Sequence, residues 1–230
     1  AVGVWRMARR RVTVRRLPVV ETLGAATVIC TDKTGTLTMG EMTATALWVA
    51  TREYAITGVG HATTGAILFD GAPVDGRDDP LVLAALLIAA LANRGEIVHT
   101  PSKSSVHGDP TDIALLVAAE KGRVSRSTWR SQWPEIGELP FSSERKMMAT
   151  VHRGPDGEVI ALMKGAPMTL LARSAHMLTE DGIRSIDDAA REAVTAANAS
   201  FASRGLRVLG LAYCTDRERP DERTRHRTNP

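Results

Sequence analysis

Apolar and polar positions along the chain change rhythm several times, and each change predicts an element. Ala25–Thr31 is a short, largely apolar, β-branched run that ends at Asp32. Such a run suits a buried parallel strand, and the carboxyl ends of parallel strands are where open α/β sheets place their ligands. Residues 42–70 alternate loosely, with "ALWVA", "YAITG" and "AILFDG" interrupted by glycines, which predicts short antiparallel strands and turns. Leu81–Asn93 reads as a core helix closed by Gly95. Its apolar run, Leu81–Ala92, is too short to cross a bilayer. "GDPTDIALLVAAEKG" is a punctuated helix: Asp109 as N-cap, Pro110 as first residue, Asp112 as third and Gly122 as stop. "KMMATVHRGPDGEVIALMK" predicts a hairpin turning at Pro155-Asp156-Gly157. "KGAPMTLLARSA" then turns at Gly165 and starts a helix with Pro167 in its first turn. Ala190, Val194, Ala197 and Phe201 share one helical face that ends at Gly205, and Leu206–Tyr213 predicts a last strand.

Composition narrows the class. A chain of 230 residues with 43% hydrophobic content can build a sizeable core. Two cysteines, Cys30 and Cys214, both in apolar surroundings, argue against a disulfide framework and for a reducing compartment. No secretory signal opens the chain, and the absence of a starting Met reads as an upstream segment cut away. The tail "DRERPDERTRHRTNP" offers almost nothing to bury, so disorder is expected there. The net charge of +3 hides six arginines between Arg6 and Arg16. Those arginines fit a nucleic-acid-binding arm, the cytoplasmic flank of a membrane helix, or a solvated helix face.

The candidate chemistry sits in "DKTGTLT". Asp32 after a strand can simply cap a turn, but here Gly35 frees the backbone to approach a ligand. The hydroxyls of Thr34, Thr36 and Thr38 can donate to phosphate oxygens, and Lys33 adds positive charge. A carboxylate in that setting can attack phosphorus and carry an acyl phosphate. Such a loop has the parts for phosphoryl transfer assisted by a divalent metal.

"DKTGTLT" resembles the phosphorylation signature of P-type ATPases, and "VRRLPVVETLGAATVICTDKTGTLT" is similar to the whole approach to the phosphorylated aspartate in type II cation pumps. "GDPTDIALL", "PFSSERKMM", "KGAP" and "GLRVLGLAY" follow in the order of that family's nucleotide-binding domain. The resemblance covers Val2 to Tyr213. It implies that Asp32 accepts the γ-phosphate of ATP, that Mg²⁺ binds the Asp32 carboxylate and the Thr34 carbonyl, and that Lys33 and Thr34 steady the phosphoryl group. Related haloacid-dehalogenase-like hydrolases often carry an aspartate where Thr34 stands, so the resemblance implies a persistent aspartyl phosphate. For the nucleotide it implies that Phe141 stacks on adenine and that Lys146 and Lys164 approach the base, ribose or phosphates. Asp112 has two readings, a capped-helix residue or a pocket contact, because the family usually has glutamate there. Arg207 likewise reads as an edge-strand arginine or as a phosphate contact.

The implied fold is mixed α/β (α+β), a mostly antiparallel sheet flanked by helices, attached to the first strand of a Rossmann-like phosphorylation domain. The expected organisation is a stalk segment over 1–24, the start of the phosphorylation domain over 25–45, the nucleotide-binding domain over 46–215 and a disordered tail over 216–230. In the family the arginine-rich start flanks a transmembrane helix, with Trp5 at the bilayer boundary, which leaves no role for nucleic acid. The implied protein is an ATP-driven, calcium-pump-like cation transporter at the cytoplasmic face of the cell membrane. Its transmembrane helices, actuator domain and remaining phosphorylation-domain motifs would lie outside these residues. The expectation for the piece alone is ATP binding with negligible turnover. A free-standing nucleotide-binding module and a haloacid-dehalogenase-like phosphatase stand as alternatives.

Overall fold

The computed structural model describes residues 2–13, 15, 24–99 and 104–215. Most of the expected stalk sequence "VRRLPVVETLG" and the expected disordered tail lie outside the described residues. The chain divides into two compact units, Ala1–Gly40 and Glu41–Pro230.

The first unit begins with the helix α1 (Val2–Arg9), with Trp5 exposed and the Arg9 guanidinium 4.9 Å from its ring centroid. No helix among the described residues is long and apolar enough to cross a membrane. The buried parallel strand expected over Ala25–Thr31 is not formed. No described segment pairs with these residues, and Val28 and Ile29 are 76% and 85% exposed. A parallel strand is stable when neighbours on both sides take its hydrogen bonds and helices cover its faces, and no described segment supplies either. The Rossmann-like attachment is therefore absent from the described structure.

The second unit is built around two helices. In α2 (Pro80–Leu91), the Asp79 side chain caps the Leu81 and Val82 amides, and Pro80 takes the first position, where its lost N–H costs nothing. Nearly every side chain of α2 is apolar, so no face can be left to water, and the helix is buried on several sides. In α3 (Pro110–Lys121), Asp109 caps Thr111 and Gly122 ends the helix, as the sequence predicts.

A four-stranded antiparallel meander, β1 (Ala46–Val49), β2 (Arg52–Ile56), β3 (Ile67–Phe69) and β4 (Ala72–Val74), packs Tyr54, Ile56 and Ile67 against Val82, Leu86 and Leu116. A small hairpin, β5 (Glu96–His99) and β6 (Ser104–His107), follows α2, and α4 (Arg126–Gln132) follows α3. The second four-stranded sheet contains β7 (Glu135–Ser142), β8 (Met147–Arg153), β9 (Val159–Gly165) and β12 (Gly210–Thr215) in the order β12-β9-β8-β7, all antiparallel. Leu162, Ile160, Leu211 and Tyr213 of this sheet meet Ile88 and Leu91 of α2. Between β9 and β12 lie α5 (Pro167–Arg173), the hairpin β10 (His176–Thr179) and β11 (Gly182–Ser185), and α6 (Asp188–Ser203). The mixed α/β architecture of antiparallel sheets flanked by helices is the one expected. The last strand begins at Gly210 rather than Leu206, at the point where Gly165 becomes its partner.

Candidate functional site

In the first unit, Asp32 opens a tight turn over Lys33–Leu37. Its Oδ1 accepts from the Lys33 amide at 2.7 Å, and the Thr38 amide and hydroxyl both donate to the Lys33 carbonyl, at 3.1 and 3.3 Å. Gly35 sits at φ +74°, a conformation that a side chain would strain, while Thr34 is extended. Asp32, Lys33 and Thr34 are all exposed. The turn thus presents one carboxylate beside one ammonium on a backbone fixed by its own hydroxyls.

A hard divalent cation fits this donor set, because Mg²⁺ takes one or two protein oxygens and fills the rest of its octahedron with water and phosphate oxygens. The Asp32 carboxylate and the Thr34 carbonyl are two such oxygens. Among the described residues, no group of three or more His, Cys, Asp or Glu forms an all-protein cage.

In the second unit the remaining predicted residues gather at one end of the β12-β9-β8-β7 sheet. Gly210, Gly165, Met147 and Ser142 form one row across the four strands. Arg207 precedes Gly210, Lys164 precedes Gly165, Lys146 precedes Met147 and Phe141 precedes Ser142. Lys164 Nζ donates to Asp112 Oδ1 at 2.6 Å, and both side chains are buried. Burial pushes the Lys164 ammonium below the usual lysine range, while Asp112 and Asp109 pull the other way. Asp112 is therefore both the third residue of a capped helix and the partner of Lys164.

Phe141 and Lys146 flank the turn between β7 and β8. Phe141 is 61% exposed, although phenylalanine is among the residues most often buried. Lys146 is exposed at φ +55°, with its amide donating to Ser142 O at 2.7 Å. Its own carbonyl accepts from the Ala166 amide at 2.9 Å, so the turn is pinned onto the "KGA" segment. Arg207 is exposed, and its charge acts on Asp109. Burial of Asp109 works against its charged form, but hydrogen bonds from Thr111 and the Asp112 amide, with the Arg207 charge, outweigh it and hold its pKa below the usual value. A cavity of about 430 Å³ also touches Thr111 and Arg207, but it is lined by apolar side chains such as Leu47, Ile88, Leu170 and Phe201, and it excludes Phe141, Lys146 and Lys164. A triphosphate needs cations and donors, so the polar sheet end is the better candidate.

Three residues unforeseen in the sequence support this site. Asn93 is fully buried: its Nδ2 donates to Ala89 O and Asp112 O, both at 2.9 Å, and its Oδ1 accepts from the Gly95 amide at 2.7 Å. The Arg94 amide donates to Asp112 Oδ2 at 2.8 Å, while its guanidinium grips Glu135 and Glu138 of β7. Arg126 donates to the Asn93 carbonyl at 2.5 Å and also to the Gly95 carbonyl. One signal was available: an Asn-Arg pair closing an otherwise apolar helix must find buried polar partners.

Comparison with known proteins agrees with this architecture. The sequence model of the family described as "P-type ATPase, cytoplasmic domain N" matches residues 82–229. The chain belongs to the P-type ATPase family. It is 39% identical over 224 residues to the "Probable cation-transporting ATPase F" of Mycobacterium tuberculosis, covering 96% of this chain and 24% of that protein. It is 36% identical over 214 residues to a "Calcium-transporting ATPase" of Bacillus subtilis, covering 93% and 24%. It is also 36% identical over 216 residues to the human "Calcium-transporting ATPase type 2C member 1", covering 92% and 23%. The chain thus spans about a quarter of the length of these relatives.

Proposed function

We propose that this chain is the nucleotide-binding part of a cation-transporting P-type ATPase, and that it binds ATP at the sheet end formed by Phe141, Lys146, Lys164 and Arg207. The observation that carries this reading is an exposed phenylalanine and a buried, ion-paired lysine at the same end of one sheet, each directly before a residue of the Ser142–Met147–Gly165 row. The ring of Phe141 offers a face to adenine, and base stacking on an aromatic contributes about 1–3 kcal/mol. Lys164, held by Asp112, offers a donor of fixed position, and Lys146 and Arg207 add mobile positive charge for the phosphates.

In the longer protein, Asp32 is the phosphoryl acceptor. A carboxylate oxygen of Asp32 forms a bond to the γ-phosphorus as the bond to the ADP oxygen breaks, leaving an aspartyl phosphate and ADP. The Asp32 carboxylate and the Thr34 carbonyl would hold Mg²⁺, which would supply charge neutralisation for the phosphate oxygens. Lys33 beside Asp32 stabilises the transferring group, and Gly35 lets the backbone approach it. Cation transport, with calcium favoured by the names of two relatives, would use this phosphorylation as its driving step.

Titrating the chain with ATP while following backbone NMR tests the binding reading. Saturable shifts at the Phe141–Lys146 turn and at Lys164 are expected, with weaker binding in Phe141→Ala or Lys164→Met. An absence of saturable binding sinks the reading, and steady-state hydrolysis by this chain alone contradicts the division of labour. For Asp32, the full-length protein should take a hydroxylamine-sensitive label from γ-labelled ATP that Asp32→Asn abolishes.

A further inference from the structure

Resting on that nucleotide-binding reading, we propose that Arg94 is a positioning residue of the pocket, fixing the Asp112–Lys164 pair to the strand that carries Phe141. Arg94 lies in the turn after α2 and joins α3, which carries Asp112, to β7, which carries Glu135 and Glu138. Its main-chain N–H donates to Asp112 Oδ2 at 2.8 Å, and the other carboxylate oxygen, Oδ1, receives Lys164 Nζ at 2.6 Å. Its guanidinium reaches the opposite way. Nε donates to Glu138 Oε1 at 2.9 Å, and the two terminal nitrogens donate to Glu135 at 2.8 and 2.5 Å; one of them is also 2.7 Å from Glu138 Oε2. Glu138 stands three residues before Phe141 on β7.

The turn itself cannot relax easily. Arg126 donates to the carbonyls on both sides of Arg94, those of Asn93 and Gly95, and the Asn93 amide group bridges Ala89, Asp112 and Gly95. Arg94 is therefore oriented at its backbone by a buried network and at its side chain by a forked grip on two carboxylates. A fork of planar donors against carboxylates fixes direction as well as distance. The β7 strand needs such bracing, because its pairing with β8 is broken by register shifts between Glu135 and Gly137 and between Leu139 and Ser142. The second irregularity contains Phe141, so the ladder alone does not set where that ring points. With its guanidinium committed to Glu135 and Glu138, Arg94 has no free fork for a phosphate. Its role is placement, not contact.

The test uses the whole chain with Arg94→Met and Arg94→Lys, checked for folding by thermal unfolding. Two readouts are taken: ATP affinity by calorimetry, and the titration of Lys164 in nucleotide-free protein by NMR of ¹³C-lysine-labelled chain, assigned with Lys164→Met. The groups that act on Lys164 are Asp112 and Asp109, which favour its charge, and Arg126, which opposes it. Loosening the turn admits water to Lys164, so its midpoint should rise toward the ordinary lysine range. ATP affinity should fall roughly tenfold, within the span of coupled-site effects. Arg94→Lys, which keeps the charge but loses the fork, should lie between Arg94→Met and the unsubstituted chain. A role confined to stability would lower the melting temperature and leave the Lys164 midpoint in place. A midpoint that stays or falls in both variants, or an ATP affinity kept within twofold, overturns the proposal. If the unsubstituted chain binds no ATP and yet the midpoint rises in Arg94→Met, the nucleotide reading fails while the bracing of the pair stands.

Discussion

Lys164 Nζ and Asp112 Oδ1 meet at 2.6 Å across a sequence gap of 52 residues, joining the end of β9 to the first turn of α3. The two partners are not equivalent. Asp112 keeps the Arg94 amide as a second donor when Lys164 is removed, whereas Lys164 loses its hydrogen-bond partner when Asp112 is removed. Lys164→Met, which leaves the carboxylate its amide donor, should therefore cost less unfolding free energy than Asp112→Ala, which should destabilise by about 3 kcal/mol, as expected for orphaning a buried charge. Urea unfolding of the two variants checks this. Near-equal losses would show that the pair is not energetically asymmetric.

The same pair sets a pH dependence. Burial lowers the Lys164 pKa in the folded chain below its ordinary value of 10.5. In the window between those two values the unfolded chain binds more protons, so stability rises with pH across it. ATP binding runs the other way, because it needs the charged ammonium and should weaken as pH climbs through the folded value. Calorimetric affinities at increasing pH should show a midpoint below 10.5 that disappears in Lys164→Met.

Phe141 should behave as a ligand contact rather than a core residue. Because it is 61% exposed, Phe141→Ala should leave the melting temperature nearly unchanged. It should nevertheless remove about 1–3 kcal/mol of ATP affinity through lost stacking. Inorganic tripolyphosphate, which has no base, should bind both forms alike. A matching loss for tripolyphosphate would move the ring's role from base recognition to pocket shape.

What could be read from the chain in advance follows the range of each signal. The helices α3 and α5 announce themselves because "GDP" and "GAP" place the turn or cap residue directly before a proline, and α2 through its apolar run Leu81–Ala92, whereas its Asp79 cap carries no mark in that run. The β8–β9 hairpin is equally local, with Gly157 at φ +84° in its turn. The hairpins β5–β6 and β10–β11 carry weaker alternation, too little to predict a strand. Ala25–Thr31 has strand-forming residues but no partner among those described, and strand pairing is a property of two segments. Asn93, Arg94 and Arg126 escaped for a related reason: they act on main-chain groups or on residues as many as 44 positions away, which no local pattern records.

Gly165 should be intolerant for want of space, not for its backbone angle. A Cβ there would lie 2.5 Å from the Lys146 carbonyl oxygen and 2.6 Å from Met147 Cβ. Those atoms belong to the adjoining strand, so Gly165→Ala must push β9 away from β8, with an expected cost of about 1–3 kcal/mol. Because Lys164 and Lys146 flank that contact, ATP affinity should fall as well. Gly137→Ala is the control, since its nearest neighbour would be Val151 Cβ at 3.7 Å. Equal unfolding midpoints for the two variants would remove the steric argument.

His152 should make the fold acid-sensitive well above the carboxylate range. It is 1% exposed, with Nδ1 3.0 Å from the Trp133 carbonyl and Nε2 2.8 Å from the Thr150 hydroxyl. A carbonyl can only accept, so Nδ1 carries the proton and Nε2 accepts from Thr150 in the neutral ring. Protonating Nε2 would turn the Thr150 hydroxyl toward Leu91 O, 3.5 Å away, and place a cation in a buried site. Burial accordingly lowers the His152 pKa below its ordinary 6.5. The unfolded chain takes up a proton near that value while the folded chain resists, so stability is lost as pH falls from about 6.5 toward the folded pKa, by up to about 1.4 kcal/mol per pH unit. Urea midpoints at pH 7.5, 6.5 and 5.5 should fall in the unsubstituted chain and flatten in His152→Gln, whereas the exposed His176→Gln should keep the slope. A slope that survives in His152→Gln would assign the acid sensitivity to another group.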